Sequence, residues 1–528
     1  MLVQPVLVIT CDVGTTGTKT CLVRIGPTLE IVASRYATYP LLTTHDGGVE
    51  QVPDDWWSAV TTSIRSIMDE DPGLAPQVRG LAFCCQMQGS IHIDRDGRPL
   101  RNAMIYMDGR STEQLRKGLC DGLVKFQGFN AIKALRTLMV TGGLSTSPKD
   151  PVWKYHWVRD HQPDLFARTY KWLDVKDYLV LRATGKVAMT LDSAHATFLF
   201  DTRPGRLVWH EGLCKTYRVD MAHLPPVVRS TDIVGELTAE AAAATGLPQG
   251  VKVFGGGGDA SLIPVGAGCV KKNDIHVYYG TSGWVIASVE KRMVDPGRFV
   301  ASILGAIPGR YNYIAEMETA GYCLQWMRDK VLRSVPGTQA AADAVTYAVM
   351  DEAAEKTAPG AGGVLYAPWL HGIRAPSEDP AARGMFVGVG LETDAPQLVR
   401  AVMEGVAFHT RWMLEAVEHR VPRQNTIRFV GGGARSKVWA QILADITGRA
   451  VRPLARPVDA GALGAAIVCG VGLGALARFE DADGLIPEGQ SVQPRPEFGE
   501  MYDRQFEAFA TLHKATRRIN RRLMQEDV

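Results

Sequence analysis

Two short turns in this sequence combine glycine with threonine or serine, the residue types that suit a phosphate-binding turn. The first is Asp12-Val13-Gly14-Thr15-Thr16-Gly17-Thr18-Lys19 and the second is Gly280-Thr281-Ser282-Gly283, and each follows an apolar run. Glycines let backbone amides approach an anion closely, while the hydroxyl groups add hydrogen-bond donors. Because the turns lie in different halves of the chain, we expect two lobes that grip one polyphosphate, with a nucleotide as the first hypothesis.

Asp12 ends the first apolar run, directly beside the first turn. A lone carboxylate would repel phosphates, so its natural use there is to hold Mg²⁺, either directly or through water. The alternative is an aspartate that only stabilises an Asx turn. Lys19, at the other end of the turn, could pair with a phosphate, although the residues alone favour a solvent-exposed side chain.

Asp259 follows four consecutive glycines, Gly255 to Gly258. Such a run costs conformational entropy and suits a place where another group approaches the backbone closely. A carboxylate between two lobes would act as a general base that orients an attacking hydroxyl group, a contribution of about 10²–10⁴-fold. The alternative is a helix N-cap after a flexible linker, and the residues alone do not decide between the two.

Two further groups of residues could contact ligands. Gly431-Gly432-Gly433-Ala434 lies between a predicted strand and a predicted helix, where an adenine or a ribose could rest against bare backbone. Tight packing explains that motif equally well. The second group is polar and follows two predicted strand ends: Gln86, Met87, Gln88, Tyr106, Asp108 and Arg110. These side chains suit the hydroxyl groups and the face of a sugar, with ordinary loop polarity as the alternative.

The elements around the first turn exclude the P-loop. A P-loop requires the pattern GxxxxGK[ST] leading into a helix. Here Gly14 and Gly17 are too close together, and residues 20–25 continue as a strand. The sequence therefore predicts a β-hairpin, and we expect a second hairpin at Gly280.

Cap residues predict where several helices begin and end. The predicted caps are an aspartate of Pro53-Asp54-Asp55 for a helix to Met68, Asp394 for a helix to Arg420, Ser436 for a helix ended by Gly448, and Asp459 for a helix of small residues. Strands and helices alternate in both halves, which predicts an α/β architecture.

Length and composition limit the class of protein. A chain of 528 residues is too long for one core, so we expect two domains, 1–255 and 256–528, divided at the glycine run. The formal net charge of +2 argues against nucleic-acid or membrane partners, and nine scattered cysteines without a CxxC pair argue against a zinc site or disulfides. The chain shows neither a signal peptide nor a bilayer-spanning run, so we expect a cytoplasmic protein.

The ordered motifs resemble the FGGY family of carbohydrate kinases over nearly the whole chain, and most closely its pentulose kinases of the xylulokinase type. The segments similar to family motifs are the two phosphate turns, Gln51–Trp57, Lys154–His161, Gly257–Asp259, Gly384–Gly388 with Glu404-Gly405, and Gly432–Trp439. Each motif alone is weak, but so many matches in order make the resemblance specific.

The resemblance implies an α/β fold of two actin-like, ribonuclease-H-like ATPase domains with a cleft between them. It also implies that ATP with Mg²⁺ phosphorylates a sugar hydroxyl group, in lobes that close and exclude water. Asp259 is thereby implied as the catalytic base, with Asp12 and Asp259 as metal ligands. The implied sugar contacts are Met87, Gln88, Tyr106, Asp108 and Asp259. The implied ATP contacts are Gly14, Thr15, Thr16, Lys19, Gly280, Thr281, Ser282, Gly432, Gly433, Ala434 and Lys437.

Departures from the family pattern concern the acceptor. Met87-Gln88 replaces the Arg-Glu pair of glycerol kinases and the Met-His pair typical of xylulokinases. Ala260 stands where asparagine is common, Tyr106 replaces a tryptophan, and Gly372–Pro376 lacks the glutamate of a GER-x-P stretch. The ATP side is intact.

Several acceptors therefore stay open: a ketopentose such as xylulose, a tetritol, a sugar acid or a signalling ketose. An alternative from another class is an actin-like ATP-binding switch without sugar turnover, because fold alone does not fix function. The sequence also leaves open whether the protein forms a homodimer.

Overall fold

Two seven-stranded mixed sheets organise the chain in the computed structural model, which describes residues 5–126, 128–333 and 345–524. The strands of the first sheet are β1 (Val6–Val13), β2 (Gly17–Ile25), β3 (Leu29–Thr38), β4 (Val78–Cys85), β5 (Ile233–Glu236), β6 (Lys252–Phe254) and β7 (Gly257–Gly258). Their order is β5-β6-β4-β1-β2-β3, with β7 also paired to β4. An antiparallel meander of β1, β2 and β3 is thus extended by strands parallel to β1.

The second sheet repeats this plan. Its strands are β8 (Ile275–Tyr279), β9 (Gly283–Val289), β10 (Val294–Asp295), β11 (Val300–Leu304), β12 (Tyr311–Met317), β13 (Thr426–Val430) and β14 (Ala450–Pro453). Their order is β10-β11-β12-β9-β8-β13-β14, in which β8, β9 and β12 form a meander and β13 and β14 lie parallel to β8. The predicted class, two α/β domains of the actin-like type, is confirmed.

Both glycine-threonine turns are β-hairpins, as predicted. Strands β1 and β2 pair up to Val13 and Thr18, and Gly14 N–H donates to Gly17 C=O across the turn (3.0 Å). Strands β8 and β9 pair up to Tyr279 and Gly283. Strand β1 is apolar and buried over most of its length because both faces of the sheet are covered.

Helices cover the two sheets. The helices used below are α1 (Pro53–Glu70), α2 (Pro151–His161), α3 (Val175–Thr184), α4 (Leu191–Ala196), α5 (Asp259–Gly266), α6 (Ala395–Glu418), α7 (Lys437–Thr447), α8 (Ala460–Gly472) and α9 (Gly499–Leu523). Other α-helices span Thr112–Leu115, Ala131–Thr141, Pro163–Phe166, Glu211–Tyr217, Ala239–Thr245, Gly321–Trp326 and Tyr347–Lys356.

Outside the two large sheets, the short strands form five two-stranded sheets and one three-stranded sheet in the described residues. These strands are Leu42–Thr43, Val49–Gln51, Ile91–Ile93, Ala103–Met104, Lys125–Phe126, Phe129–Asn130, Lys171–Leu173, Met189–Thr190, Phe200–Asp201, Val208–Trp209, Val227–Val228, Leu365–Ala367 and Met385–Val387. In the described parts of the chain, no helix is long and apolar enough to cross a bilayer.

Two of the predicted helix caps are confirmed and two are wrong. Asp394 accepts from Gln397 N–H in a capping box on α6, and Ser436 accepts from Trp439 N–H on α7, which Gly448 ends at a φ of 62°. Helix α1 instead begins after Val52 without a side-chain cap, because the Asp54 carboxylate contacts Arg182 and Tyr178 of α3.

Asp459 is the other incorrect cap. It precedes α8, but its carboxylate binds Lys19 of β2 and Arg456 rather than the amides of the helix. The cation from the first sheet is a stronger partner for a buried carboxylate than a backbone N–H, because a charge-assisted hydrogen bond offsets more of its desolvation.

Helices α5 and α8 cross between the two sheets at small residues. A Cβ at Gly464 would overlap the Leu262 carbonyl oxygen, and a Cβ at Gly266 would overlap the Ala460 carbonyl oxygen. The same helices share one core cluster with residues of both sheets. The crossing therefore joins the two halves at the base of the site described below.

The glycine run before α5 is part of the first sheet. Gly257 and Gly258 form β7 and pair with Cys84 and Cys85 of β4. This strand, rather than a flexible linker, leads directly to Asp259. The division of the chain into domains 1–255 and 256–528 stays a prediction.

Candidate active site

Hydroxyl groups hold the first hairpin turn in place. Thr15 Oγ1 donates to Tyr106 Oη (3.2 Å), and Thr15 C=O accepts from Gln51 Nε2 (2.7 Å). Thr16 Oγ1 and Tyr36 Oη share a hydrogen bond of 3.1 Å. The turn is thereby tied to three neighbouring segments of the first domain before any ligand binds.

The second hairpin turn is fixed through its carbonyl groups. Gly280 C=O accepts from Gly321 N–H (2.8 Å), and Thr281 C=O accepts from Ala320 N–H (2.9 Å). The Thr281 residue is exposed and Ser282 is half-buried. These bonds fix the backbone of the turn, and the Thr281 and Ser282 hydroxyl groups are donors that the turn can offer to an anion together with its backbone N–H groups.

Lys19 links the first hairpin to the second half of the chain. Its Nζ lies 2.8 Å from Asp459 Oδ1 and donates to Val458 C=O (3.0 Å), with 24% of the side chain exposed. The expectation of a solvent-exposed side chain is therefore wrong. Contact with a phosphate stays a prediction for this lysine.

The fold brings the ends of β1 and β7 to one edge of the first sheet. Asp12 of β1 and Gly257 of β7 pair with the same residue, Cys84, from its two sides. Neighbouring strands lie about 4.8 Å apart, so Asp12 and Gly257 are about 10 Å apart across this row. Asp259 follows two residues later, at the start of α5.

Burial raises the pKa of both carboxyl groups. The pKa of Asp12 rises to about 6, although Lys19 and the Cys84 thiol act in the opposite direction. The pKa of Asp259 rises to about 7, although the hydrogen bond that Ala260 N–H donates to Asp259 Oδ1 (2.7 Å) acts in the opposite direction. A carboxyl group with a pKa near neutrality is suited to accept a proton at neutral pH.

Asp259 is the first residue of α5 rather than its cap. Gly258 occupies the N-cap position and offers no side chain. A Cβ at Gly258 would overlap the thioether of Met87. The missing side chain therefore lets Met87 lie directly against the residue before Asp259, so the fold brings these two predicted site residues together.

Gln88 is held in a left-handed backbone conformation by two buried charged residues. Its φ is 63°, which is uncommon outside glycine. Asp174 accepts from the N–H groups of Gln88 (3.2 Å) and Gly89 (2.7 Å). Lys154 Nζ donates to the C=O groups of Gln88 and Ile105, both at 2.7 Å. These contacts aim the Gln88 side chain.

The Gln88 amide points toward Asp150. Gln88 Nε2 lies 3.4 Å from Asp150 Oδ1, while Asp150 Oδ2 accepts from Ser145 Oγ (2.9 Å) and Ser147 N–H (3.0 Å). Tyr106 lies nearby with its hydroxyl group on Thr15, and burial raises its pKa, with a further contribution from the Asp259 charge. We call Met87, Gln88, Tyr106 and Asp259 together the acceptor pocket, after the sugar contacts predicted for them.

The Asp108 carboxylate is bound by neighbouring groups of the protein. It is fully buried, accepts from Val49 N–H (3.0 Å) and pairs with Arg110 (2.6 Å). The guanidinium of Arg110 also pairs with Glu50 and lies over the Trp157 ring. Contact between Asp108 and a sugar stays a prediction, and the observed contacts give it a structural role.

A cavity of about 1130 Å³ lies beside the predicted adenosine loop. Among its lining residues are Lys19, Ala434 and Lys437. Gly433 packs against Tyr279, which explains why it has no side chain, whereas Gly432 faces open space. Packing and ligand access thus both contribute to this glycine motif.

The two carboxylates fit a magnesium ion that is shared with phosphate groups. In the described residues, no group of three or more His, Cys, Asp or Glu side chains could enclose a metal ion. Mg²⁺ is usually held by one or two carboxylates together with phosphate oxygens and water. The charge of Asp12 raises the pKa of Asp259, and a cation would relieve that repulsion.

Several residues of this site were not assigned a role from sequence. These are Asp150, Lys154 and Asp174. Asp174 had a local signal, because it caps α3 in a capping box. For the others the functional contacts come from segments far away in the chain, so no local pattern could have shown them.

Family comparison agrees with the arrangement of the two domains. The N-terminal domain of the FGGY family of carbohydrate kinases matches residues 7–266, and the C-terminal domain of the same family matches residues 276–473. Together the two matches include both hairpins and Asp259.

Individual relatives are similar over most of their length. The xylulose kinase of Escherichia coli strain K12 is 31% identical over 83% of this chain and 84% of its own. The gluconokinase of Bacillus licheniformis is 27% identical over 96% of this chain and 95% of its own. The crystal structure of the xylulose kinase from Rhodospirillum rubrum superposes with a TM-score of 0.82 at 26% identity, covering 98% of this chain and all of that one.

Proposed function

The chain belongs to the FGGY family of carbohydrate kinases, and we propose that it transfers the γ-phosphoryl group of MgATP to a hydroxyl group of a ketopentose such as xylulose. The similarity to xylulose kinases from two organisms supports the acceptor class. The family supports ATP as the phosphoryl donor, with the two hairpins and the adenosine loop as its binding elements.

The observation that carries this proposal is the position of Asp259. It starts α5 directly after Gly258, which lies against Met87. Burial, together with the Asp259 charge, raises the pKa of Tyr278 in β8, the strand that leads into the second hairpin turn. The Asp259 pKa of about 7 permits proton transfer at neutral pH. An ATP-driven switch without a sugar acceptor could use such a carboxylate to orient water, so the polar side chains beside it are what favours a sugar acceptor.

In the proposed reaction Asp259 accepts the proton of the attacking sugar hydroxyl group. A bond then forms between that oxygen and the γ-phosphorus, while the bond from the γ-phosphorus to ADP breaks. Met87 and Gln88 position the acceptor, and the two hairpins position the phosphates. Because the transition state is loose, positioning and charge stabilisation carry most of the rate enhancement.

Asp12 and Asp259 would hold the Mg²⁺ ion, which neutralises negative charge on the phosphates when it is bound. The chain itself then contributes the carboxylate oxygens at the edge of the first sheet. Lys19 adds a positive charge beside Asp12, which stabilises the ionised form of that carboxylate.

We expect Asp259→Asn to reduce sugar-dependent turnover by about 10²–10⁴-fold while sugar binding is retained, because the amide cannot accept the proton. ADP release should be measured over a panel of ketoses, polyols and sugar acids. Asp503→Asn, at a surface carboxylate of α9 that pairs with Arg411, is the matched control and should leave turnover unchanged. ADP release that needs no sugar and persists in Asp259→Asn would contradict the role of Asp259 as the general base.

A sugar acid is the second candidate acceptor. The similarity to the Bacillus licheniformis gluconokinase over nearly the whole chain favours it. The two candidates differ in one property of the acceptor, a carboxylate, and the panel above separates them.

A further inference from the structure

The second domain contributes an ion pair beside the acceptor pocket. Arg374 Nε lies 2.9 Å from Glu316 Oε2, and the two side chains remain 47% and 35% exposed. Ala375 N–H also donates to Glu316 C=O (3.1 Å). Backbone and side-chain contacts therefore hold Arg374 and Glu316 together while both still reach open space.

Strand register places this pair next to the second hairpin. Met317 pairs with Gly283 at the hairpin, and Glu316 pairs with Trp284. Side chains alternate along a strand, so Glu316 lies on the Trp284 face of the second sheet, and Glu318 continues in the same direction just beyond the end of β12. That face packs on α5 and α8 and is therefore turned toward the first domain.

Electrostatic interactions show which charged groups surround the Arg374–Glu316 pair. Glu316 is the main cause of a raised Arg374 pKa, and Glu318, Asp150 and Glu378 contribute to it. Burial raises the pKa of Asp150, and Arg374 is the largest influence against that rise. Arg374 is thus the guanidinium within range of carboxyl groups from both domains, including the Asp150 that faces Gln88.

We propose that Arg374, Glu316 and Glu318 form the second-domain wall of the acceptor pocket, and that this wall selects uncharged polyhydroxy acceptors over sugar acids. The inference rests on the proposed kinase function. The remaining N–H groups of Arg374 can donate to acceptor oxygens, and Glu318 can accept from acceptor hydroxyl groups. An added carboxylate would meet two basic side chains, Arg374 and Lys154. Both already interact with carboxyl groups of the set Glu316, Glu318, Glu378 and Asp150, and Asp259 lies in the same pocket, so the added carboxylate would be repelled.

The test compares neutral and anionic acceptors on one protein. Binding of D-xylulose, D-ribulose, erythritol, D-gluconate and D-xylonate should be measured by calorimetry without ATP, and kcat/KM should be measured with it. We expect the best neutral acceptor to exceed the best sugar acid by about 100-fold in both quantities. We expect Glu316→Gln and Glu318→Gln each to lower that ratio by about tenfold, because each removes one like charge.

The matched control is Glu290→Gln, at an exposed glutamate of the same domain that pairs with Lys272. It should leave the ratio unchanged, and thermal unfolding of all variants checks that they are folded. A sugar acid that binds as tightly as the best neutral acceptor, or a ratio that neither variant changes, overturns the proposal. A protein that binds a neutral acceptor selectively but phosphorylates none would support this inference and count against the kinase function.

Discussion

Lys154 is a buried lysine that supports the backbone of Gln88, a residue of the acceptor pocket. It is fully buried and donates to two backbone carbonyl groups, those of Gln88 and Ile105. Burial lowers its pKa to about 7. A neutral amine still carries two N–H donors, so both contacts survive when the proton is lost.

We expect Lys154→Met to raise the KM for the acceptor by about tenfold or more, with little change in the KM for ATP. The substitution leaves the strained backbone of Gln88 without its carbonyl partner, a loss of about 1–3 kcal/mol. Lys154→Gln keeps two N–H donors and should recover part of the loss. Equal changes in both KM values would show a general structural defect instead of positioning.

The same Lys154→Met variant has a readout in the pH dependence of stability. Between the folded pKa of about 7 and the ordinary value of 10.5, the unfolded chain binds a proton at Lys154 that the folded chain does not. The contribution of Lys154 to stability therefore rises with pH in this window and is lost as the pH falls to 7. The free energy of unfolding should be measured with denaturant at pH 7 and at pH 9. From pH 7 to pH 9, wild type should gain stability relative to Lys154→Met, and it should show no such gain relative to the control variant Lys272→Met.

Residue types alone predicted the carboxylates that end an apolar run or follow a glycine run, Asp12 and Asp259. They could not predict Lys154, because its partners are 66 and 49 residues away in the sequence. The cap prediction at Asp54 failed for a related reason. The Asp54 carboxylate pairs with Arg182 of α3, which is distant in the chain, instead of capping α1 as local spacing had predicted.

At the scale of elements, the crossing of α5 and α8 positions the edge of the first sheet at which Asp12 and Asp259 lie. Helix α5 starts at Asp259, and α8 begins beside Asp12, since a Cβ at Gly461 would overlap that carboxylate. The two helices approach each other through Gly464 and Gly266. A change at the crossing should therefore affect both carboxylates together.

We expect Gly464→Ala to destabilise the fold by about 1–3 kcal/mol and to lower kcat, because the new Cβ would push α8 away from the Leu262 carbonyl oxygen. Thermal unfolding and steady-state kinetics measure the two effects. Gly499→Ala on α9 is the control, since no atom lies within 4 Å of its Cβ position. A fully stable and active Gly464→Ala would mean that this crossing does not set the position of Asp259.

The hairpins were predictable from sequence because a short glycine turn between two apolar runs is a local signal. The crossing was not, because a glycine in an apolar helix gains meaning only from the helix packed against it. The run Gly255–Gly258 shows the same limit. Its composition indicated a linker, whereas pairing with Cys84 and Cys85 makes its second half a strand of the first sheet.

At the scale of the whole molecule, two sheets of the same plan each carry one glycine-threonine hairpin. The first sheet carries Asp12 and the strand that leads to Asp259, and the second sheet carries the Thr281 turn and Glu316. The large cavity lies beside α7 and reaches Lys19 of the first domain. Because the proposed ATP and acceptor contacts come from both halves of the chain, we expect the domains to approach each other before transfer, which also excludes water.

Direct observation of the product tests the central claim most sharply. Phosphorus NMR should follow wild type and Asp259→Asn with MgATP and D-xylulose, or with the best acceptor of the panel. The account predicts that wild type converts the γ-phosphoryl signal into a sugar phosphomonoester signal, and that Asp259→Asn does so about 10²–10⁴-fold more slowly. Release of inorganic phosphate without a sugar phosphomonoester, at equal rates in both proteins, would contradict it.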